Sequence, residues 1–430
     1  MHLYKYPEKE LWNEIVQRPV FDRENLRQTI AEVFRNVEQN GDEALRFYTK
    51  KFDGIEISSF KVSNEEIENA KILVSEELKN AISQAKKNIE IFHHSQKEKS
   101  GKITTTPGVE CWRESRAIEK TGIYIPGGTA PLFSTVLMLA VPAKIAGCPE
   151  IILCTPADRN GEVNPAVLYA ANLCGVTEIF NIGGAQAIAA MALGTSSVPA
   201  VCKIFGPGNQ FVTAAKEYAT EIGVAIDMPA GPSEVLVIAD QQAVPEFCAA
   251  DLLSQAEHGA DSQVIFISDD EKVFEETIAH LKDQLTRLPR KEFAEKSVAC
   301  SHFILLENLD QAFRFSNMYA PEHLILAIEN PEKWTEKVIN AGSVFLGNYS
   351  CESAGDYASG TNHTLPTNGY ARNYSGVSLD SFVRKITFQQ LTAEGIRNLG
   401  KTIELMAEAE GLFAHKNAVT LRLKSLNTNP

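Results

Sequence analysis

Glu322 and His323 are adjacent and directly follow Pro321, which makes them a pair that could move protons. A histidine with a pKa near neutrality can accept a hydroxyl proton, and a carboxylate can activate water. A proline at this point is expected at the first turn of a helix or at the start of a strand. The pair could therefore divide two proton transfers between them, although adjacent Glu and His residues also form ordinary surface pairs.

A second pair, Gln255 and His258, has a spacing that suits a metal ion. Both residues fall in Asp251–Gly259, a helical run that stops at a glycine. Side chains three residues apart share one helix face and could reach one ion. Glutamine is an uncommon zinc ligand, so a capped helix end with a satisfied histidine is the alternative. Further donors come late in the chain: Asp356, His363, Glu410 and His415. Oxygen ligands combined with imidazole suit Zn²⁺ or a similar divalent ion.

Three predicted strands run into turns of small residues, at Tyr124–Gly128, Ile182–Ala187 and Phe205–Gln210. Glycine lets the backbone approach a ligand, and the helix that follows offers free N–H groups to a phosphate or carboxylate. The side chains expected nearest to that ligand are those of Tyr124, Gln186 and Asn209. None of the turns has the Gly-x-Gly-x-x-Gly pattern, so plain tight turns are the alternative.

Two irregular segments could bring further groups to a site. Asp227–Glu234 is too rich in proline and glycine for regular structure and delivers Ser233 just before a strand, unless it is a simple linker. Gly347–Tyr370 is polar, weakly charged and shows little periodicity. A stretch of that length inside a compact protein usually forms an active-site or binding loop, with surface disorder as the competing interpretation.

The elements that must position these residues alternate between strands and helices from Thr121 onward. The predicted strands are Gly122–Ile125, Ile151–Cys154, Glu178–Ile182, Ala200–Phe205, Val235–Ala239 and Val264–Ser268. Alternation of this kind indicates a parallel sheet, and uninterrupted apolar runs suit strands covered by helices on both faces. We therefore expect a doubly wound, Rossmann-like α/β fold with mostly parallel sheets. Upstream, Glu24–Asn40 is predicted as an amphipathic helix, and a capping box at Ser63 opens one long helical pattern toward His93.

Composition excludes several classes of protein. Over 430 residues the formal net charge is −14, which gives no basic surface for nucleic acid. The amino terminus lacks an apolar run of signal-peptide length, and the most apolar region, Val136–Cys154, is interrupted by prolines and charges. The eight cysteines are scattered, without a Cys-x-x-Cys pair, as expected for reduced thiols in a bacterial-type cytoplasm or a plastid interior. We expect a cytoplasmic protein that binds neither nucleic acid nor membrane.

Taken together, these segments resemble the histidinol dehydrogenase family over essentially the whole chain. Seven blocks match its signature blocks in the same order: 124–132, 183–189, 205–209, 227–234, 251–259, 320–324 and 355–366. Seven long blocks in order are far more specific than any one of the motifs above.

The resemblance implies a site that binds a metal ion, the substrate and NAD. One Zn²⁺ per subunit would be held by Gln255, His258, Asp356 and His415, and it would anchor the substrate. Substrate contacts would come from these four residues and from Ser233, His323, His363 and Glu410. NAD would lie against Tyr124, Gln186 and Asn209.

The resemblance also implies the reaction and the assembly. The family oxidises L-histidinol to L-histidinal and then to L-histidine with two NAD⁺, the last steps of histidine biosynthesis. His323 would be the general base and Glu322 would activate water. The family is an intertwined homodimer, so Glu410 and His415 would reach the active site of the neighbouring subunit.

We expect four parts in the chain. These are an N-terminal segment (1–24), a discontinuous α/β domain (25–120 with 236–378), a Rossmann-like NAD-binding domain (121–235) and a C-terminal dimer-swapped segment (379–430), with small helical segments at both termini.

Two other function classes stay open at this point. A zinc hydrolase would also use a glutamate, a histidine and a bound metal, although three glycine turns in one α/β unit argue against it. A ligand-binding protein that has lost its chemistry is the other alternative, and the intact Glu322 and His323 argue against that.

Overall fold

In the computed structural model the chain forms two compact units. The described residues are 1–18, 23–127, 131–229 and 231–428. The first unit comprises Met1–Gln96 and Ile118–Phe382, and the second comprises Lys97–Ala117 and Val383–Pro430. The four-part division expected from the sequence stays a prediction.

Helices and strands alternate through most of the first unit, and the elements of both units are numbered together along the chain. The strands are β1 (His2–Lys5), β2 (Ile103–Thr106), β3 (Val109–Ala117), β4 (Lys120–Tyr124), β5 (Glu150–Thr155), β6 (Glu178–Asn181), β7 (Lys203–Phe205), β8 (Ala225–Ile226), β9 (Glu234–Ala239), β10 (Gln263–Ser268), β11 (His302–Leu305), β12 (His323–Ala327), β13 (Ser343–Leu346) and β14 (Val383–Leu391). The helices are α1 (Lys9–Ile15), α2 (Arg23–Asn40), α3 (Asp42–Asp53), α4 (Asn64–Leu73), α5 (Glu76–His94), α6 (Phe133–Ala146), α7 (Pro165–Cys174), α8 (Gly184–Leu193), α9 (Gln210–Glu221), α10 (Pro245–Ala256), α11 (Glu271–Leu285), α12 (Lys291–Ala299), α13 (Leu309–Tyr319), α14 (Glu352–Tyr357), α15 (Ala393–Ala409) and α16 (Phe413–Thr428). Short 3₁₀ helices cover Pro331–Lys337, Tyr370–Arg372 and Leu379–Phe382.

The first unit contains two parallel sheets. In the five-stranded sheet the order is β6-β5-β4-β7-β8, so the chain winds outward from β4 to β6 and then returns to the other side of β4. In the six-stranded sheet the order is β1-β11-β10-β9-β12-β13, with the same reversal around β9. The predicted doubly wound α/β class with mostly parallel sheets is confirmed.

The apolar runs explain why these strands lie at the centre of the first unit. Every residue of β9 and β10 is buried, since helices cover both faces of a parallel sheet. The second unit, by contrast, has an antiparallel sheet in the order β14-β3-β2 and the packed helices α15 and α16. None of the described helices is long and apolar enough to cross a membrane.

The long helical pattern predicted from Ser63 to His93 is wrong in one respect, because it is two helices. The capping box at Ser63 and Glu66 is present and starts α4. Val74 and Ser75 are extended, and the Ser75 hydroxyl accepts a hydrogen bond from the N–H of Leu78. Ser75 is thus a second N-cap, and N-capping by serine competes effectively with continuation of a helix.

His302 at the start of β11 gives a testable pH dependence of stability. Burial, reinforced by the facing His2 imidazole, lowers the pKa of His302 from 6.5 to about 4. The folded state therefore binds fewer protons, so stability present above pH 6.5 is lost as the pH falls toward the folded pKa of about 4. Between pH 7 and pH 5, protonation of His302 on unfolding should lower the unfolding free energy by about 2 kcal/mol. His302→Phe should lack this part of the pH dependence. Thermal unfolding at both pH values measures this, with the exposed His94→Phe as the control. An unchanged pH dependence in His302→Phe would contradict it.

Candidate functional site

A cleft of about 830 Å³ runs through the first unit. At one end it is lined by the three glycine-containing turns that follow β4, β6 and β7, so the carboxyl ends of the five-stranded sheet open into it. At the other end it is lined by Ser233, His258, Glu322 and His363. Ser233 and Glu322 directly precede β9 and β12, so the six-stranded sheet contributes the amino ends of its strands.

The residues predicted to contact a cofactor meet at the first end of the cleft. The Tyr124 hydroxyl accepts a hydrogen bond from the N–H of Gly184 at 2.9 Å. Gln186 is fully buried, and neither its amide oxygen nor its amide nitrogen has a partner among the described residues. Asn209 caps α9, where its side-chain oxygen accepts from the N–H groups of Phe211 and Val212. Gly128 and Ala230, which belong to two of the matching sequence blocks, lie outside the described residues.

A buried ion pair holds the turn after β7. Lys216 contacts Asp227, and both side chains are almost inaccessible to solvent. The Lys216 ammonium donates to the carbonyl oxygen of Gly206 at 2.8 Å, while the Asp227 carboxylate accepts from the N–H of Gly206 at 2.8 Å. Gly206 has φ +129°, and a Cβ there would lie 2.1 Å from the carbonyl oxygen of Tyr124. Only glycine fits this turn, and the ion pair fixes its place beside Tyr124.

At the second end, Glu322 and His323 are both buried at the start of β12. The Glu322 carboxylate accepts from the N–H of Glu234 at 2.9 Å, and His323 Nδ1 lies 3.2 Å from the carbonyl oxygen of Glu234. His323 Nε2 lies 3.4 Å from the Asp356 carboxylate. The expectation that the pair begins a strand is confirmed, and it forms no exposed surface pair.

The pKa values in this cluster follow from burial and from an excess of acidic groups. Burial raises the pKa of Glu322 to about 8. Burial alone would lower the pKa of His323, but the carboxylates of Glu352, Glu322 and Asp356 together raise it to about 10. Burial also raises the pKa of Glu352 well above its ordinary value.

Possible metal donors converge beside this pair. His258, Glu352 and Asp356 each place a donor atom within 4.8 Å of the others. Gln255 is buried, and in the amide orientation that satisfies both of its ends it donates to Glu352 and accepts from the N–H of Glu234 at 2.9 Å. His258 lies two residues beyond the end of α10, so the shared helix face expected for Gln255 and His258 is wrong. The turn of chain after the helix still brings them to one site, because the N–H of His258 donates to the carbonyl oxygen of Gln255.

The donor set fits a divalent cation. Three carboxylates, Glu322, Glu352 and Asp356, lie within 4.0 Å of the single imidazole of His323. One carboxylate oxygen of Glu352 is buried without a partner among the described residues. Buried negative charge in excess is costly unless a proton or a cation compensates it, and oxygen donors beside an imidazole suit Zn²⁺ or Mn²⁺.

The remaining predicted substrate contacts divide between the two units. His363 is held in the cleft by the carbonyl oxygen of Asp356 at 2.8 Å from Nδ1 and by the Thr135 hydroxyl at 3.2 Å from Nε2. Glu410 directly follows α15 and His415 lies on α16, both exposed in the second unit. Their predicted roles stay predictions.

Sequence reasoning missed Glu352, an acidic residue that contacts Gln255 and has a donor atom within 4.8 Å of those of His258 and Asp356. The irregular loop expected at Gly347–Tyr370 contains α14, which carries Glu352 and Asp356 one turn apart. That spacing places both carboxylates on one helix face, so it was a usable signal for a metal site.

Comparisons with known proteins identify the family of this chain. The family model described as histidinol dehydrogenase matches residues 16–423. The chain is 58% identical to the histidinol dehydrogenase of Bacteroides thetaiotaomicron over 99% of this chain and 100% of that protein. It is 51% identical to that of Escherichia coli over 97% of this chain and 96% of that one. The crystal structure of histidinol dehydrogenase from Elizabethkingia anophelis superposes with a TM-score of 0.98 at 61% identity and covers 99% of both chains.

Proposed function

The chain belongs to the histidinol dehydrogenase family, and we propose that it oxidises L-histidinol through L-histidinal to L-histidine with two NAD⁺. The observation that carries the proposal is one cleft lined both by the glycine turns and by Glu322, the neighbour of His323. A hydride donor and a hydride acceptor could bind at opposite ends of one cleft and meet between them, which converts hydride transfer into a reaction within one complex.

His323 is proposed as the general base of the alcohol step. Against the effect of burial, the surrounding carboxylates raise the pKa of His323, and a cation that took up their charge would lower it again, so that the neutral imidazole can act as a base. The proton of that neutral imidazole belongs on Nδ1, which faces the carbonyl oxygen of Glu234. Nε2 is then the basic nitrogen, and it can accept the hydroxyl proton as the hydride leaves. The buried carboxylates around the ring stabilise the imidazolium that results.

Glu322 is proposed to activate the water that hydrates the aldehyde. Its carboxylate lies beside the cleft and is fixed through one oxygen by the N–H of Glu234. Burial raises the pKa of Glu322, which makes it a stronger base than an exposed glutamate. The hydrated aldehyde resembles an alcohol, so a second hydride transfer can use the same arrangement of groups.

The proposed metal ligands are Gln255, His258, Asp356 and His415, with His415 supplied by the second subunit of an intertwined homodimer. When bound there, Zn²⁺ would fix the imidazole and the amine of histidinol and take up part of the negative charge of Asp356. Ser233, His363 and Glu410 are proposed to complete the substrate contacts, and Tyr124, Gln186 and Asn209 to contact NAD. The proposal includes a cytoplasmic location, which the eight free cysteines support.

The experiment that tests this function counts NADH formed per L-histidinol consumed by the purified protein. We expect two NADH per substrate, and a fall in rate of more than about tenfold after chelation that added Zn²⁺ reverses. One NADH would mean that the chemistry stops at the aldehyde. No NADH would contradict the proposed function and favour a hydrolase or a different amino alcohol.

A further inference from the structure

A buried ion pair between Arg18 and Glu234 lies directly behind the proposed catalytic residues. Arg18 Nε is 2.5 Å and Nη2 is 2.8 Å from the two carboxylate oxygens of Glu234, so the contact is bidentate. The side chains are only 13% and 3% exposed. The guanidinium also stacks on the Tyr319 ring, with its central carbon 3.8 Å from the ring centroid.

Stability alone does not account for such a pair. Desolvation offsets most of the attraction between two buried charges, and well-packed apolar residues often serve a fold equally well. The pair therefore has a role beyond stability, which its contacts indicate.

Its contacts join chain segments that meet at the catalytic pair. Arg18 Nη2 donates to the carbonyl oxygens of Tyr319 at 2.9 Å and Ala320 at 3.5 Å, at the turn that leads into Glu322. Ala320 has φ +55°, a left-handed conformation that residues with a Cβ rarely adopt, so this turn needs external support. The Glu234 carboxylate also accepts from the N–H of Asn368, on the loop that lines the cleft.

The main chain of Glu234 contacts three of the proposed functional residues. Its N–H contacts the Glu322 carboxylate at 2.9 Å, and its carbonyl oxygen lies 3.2 Å from His323 Nδ1. The same N–H lies 2.9 Å from the Gln255 amide oxygen. Any displacement of this residue would therefore move a proposed base, a proposed water-activating group and a proposed metal ligand together.

We propose that Arg18 is a positioning residue for the dehydrogenase reaction. Through the Glu234 side chain it fixes the start of β9, and through the carbonyl groups of Tyr319 and Ala320 it fixes the turn before β12. It thereby sets the distance between the Glu234 main chain and the Glu322 and His323 side chains. This inference rests on the proposed function, because that function assigns the roles of Glu322 and His323.

The test compares Arg18→Lys and Arg18→Ala with a matched control. Lysine keeps the charge but cannot form the bidentate contact. We expect kcat for NADH formation to fall about 100-fold in either variant, as displacements near 1 Å can cause, with KM for NAD⁺ changed less than about threefold. Millimolar guanidinium should restore part of kcat in Arg18→Ala. Arg27→Ala removes an exposed ion pair with Glu221, formed by Nη2 alone, and should leave kcat unchanged, with or without guanidinium.

A measurement independent of turnover accompanies the kinetics. Hydrogen exchange should accelerate at the Glu234 amide and at the start of β12 in Arg18→Lys, with the thermal midpoint within a few degrees of the parent. If Arg18→Ala does not fold, Arg18→Lys decides the question, since parental kcat and parental exchange in that variant would overturn the proposal. Failure of the parent protein to form NADH from L-histidinol would instead contradict the proposed function. The exchange data would still test whether Arg18 positions Glu234 and the start of β12.

Discussion

Replacing His323 with glutamine is expected to lower kcat for NADH formation from L-histidinol by about 1000-fold, the middle of the range for loss of a general base. Glutamine occupies a similar volume, and its amide can still meet the carbonyl oxygen of Glu234 that now faces Nδ1. It cannot accept a proton from the substrate hydroxyl. Steady-state kinetics at saturating NAD⁺ measure the effect, and KM for NAD⁺ should change little because the glycine turns lie at the other end of the cleft.

The control is His94→Gln, which changes an exposed histidine at the end of α5. Thermal unfolding of His323→Gln shows whether the variant is folded, and the loss of activity should appear without a large change in the thermal midpoint. A kcat within threefold of the parent would assign the proton transfer to another group. An equal loss in His94→Gln would show that the assay does not report on the site.

The elements that support the site were largely predictable because their signals are local. Val235–Ala239 is an uninterrupted apolar run, and such a run in an alternating α/β pattern indicates a buried parallel strand. The capping box at Ser63 was likewise readable from four residues. Where local signals compete, as at Ser75, periodicity alone failed, because the apolar spacing continues across a helix break.

The geometry of the site depends on contacts that no local pattern shows. The carboxylate of Glu352 meets the amide of Gln255 across almost 100 residues of sequence, and Arg18 meets Glu234 across 216. Pairings of this kind are set by the order of strands in the sheet. The carboxyl ends of one sheet were expected to bind ligand. The other sheet contributes the amino ends of its strands, because α10 returns the chain to the start of β10 and leaves His258 there.

Replacing Glu322 with glutamine is expected to separate the two oxidations. The amide oxygen of glutamine can still accept the hydrogen bond from the Glu234 N–H, so the start of β12 should keep its position. The amide cannot remove a proton from water, so hydration of the aldehyde should slow by about 1000-fold. The alcohol step depends on His323 and should change far less. We therefore expect NADH per histidinol to fall from two toward one in the first minutes of reaction, with L-histidinal held on the protein and detectable by a carbonyl-trapping reagent.

Glu332→Gln is the matched control, because Glu332 lies on a 3₁₀ helix away from the cleft lining and should keep two NADH per substrate. Equal slowing of both oxidations in Glu322→Gln would mean that the Glu322 carboxylate acts by supporting His323, whose Nδ1 lies 3.6 Å away. No slowing of either step would assign water activation to another acid, and Glu352 would be the first to test because it is the other carboxylate that faces His323 Nδ1. Only loss of the second NADH supports a division of proton transfers between two adjacent residues that both contact the main chain of Glu234.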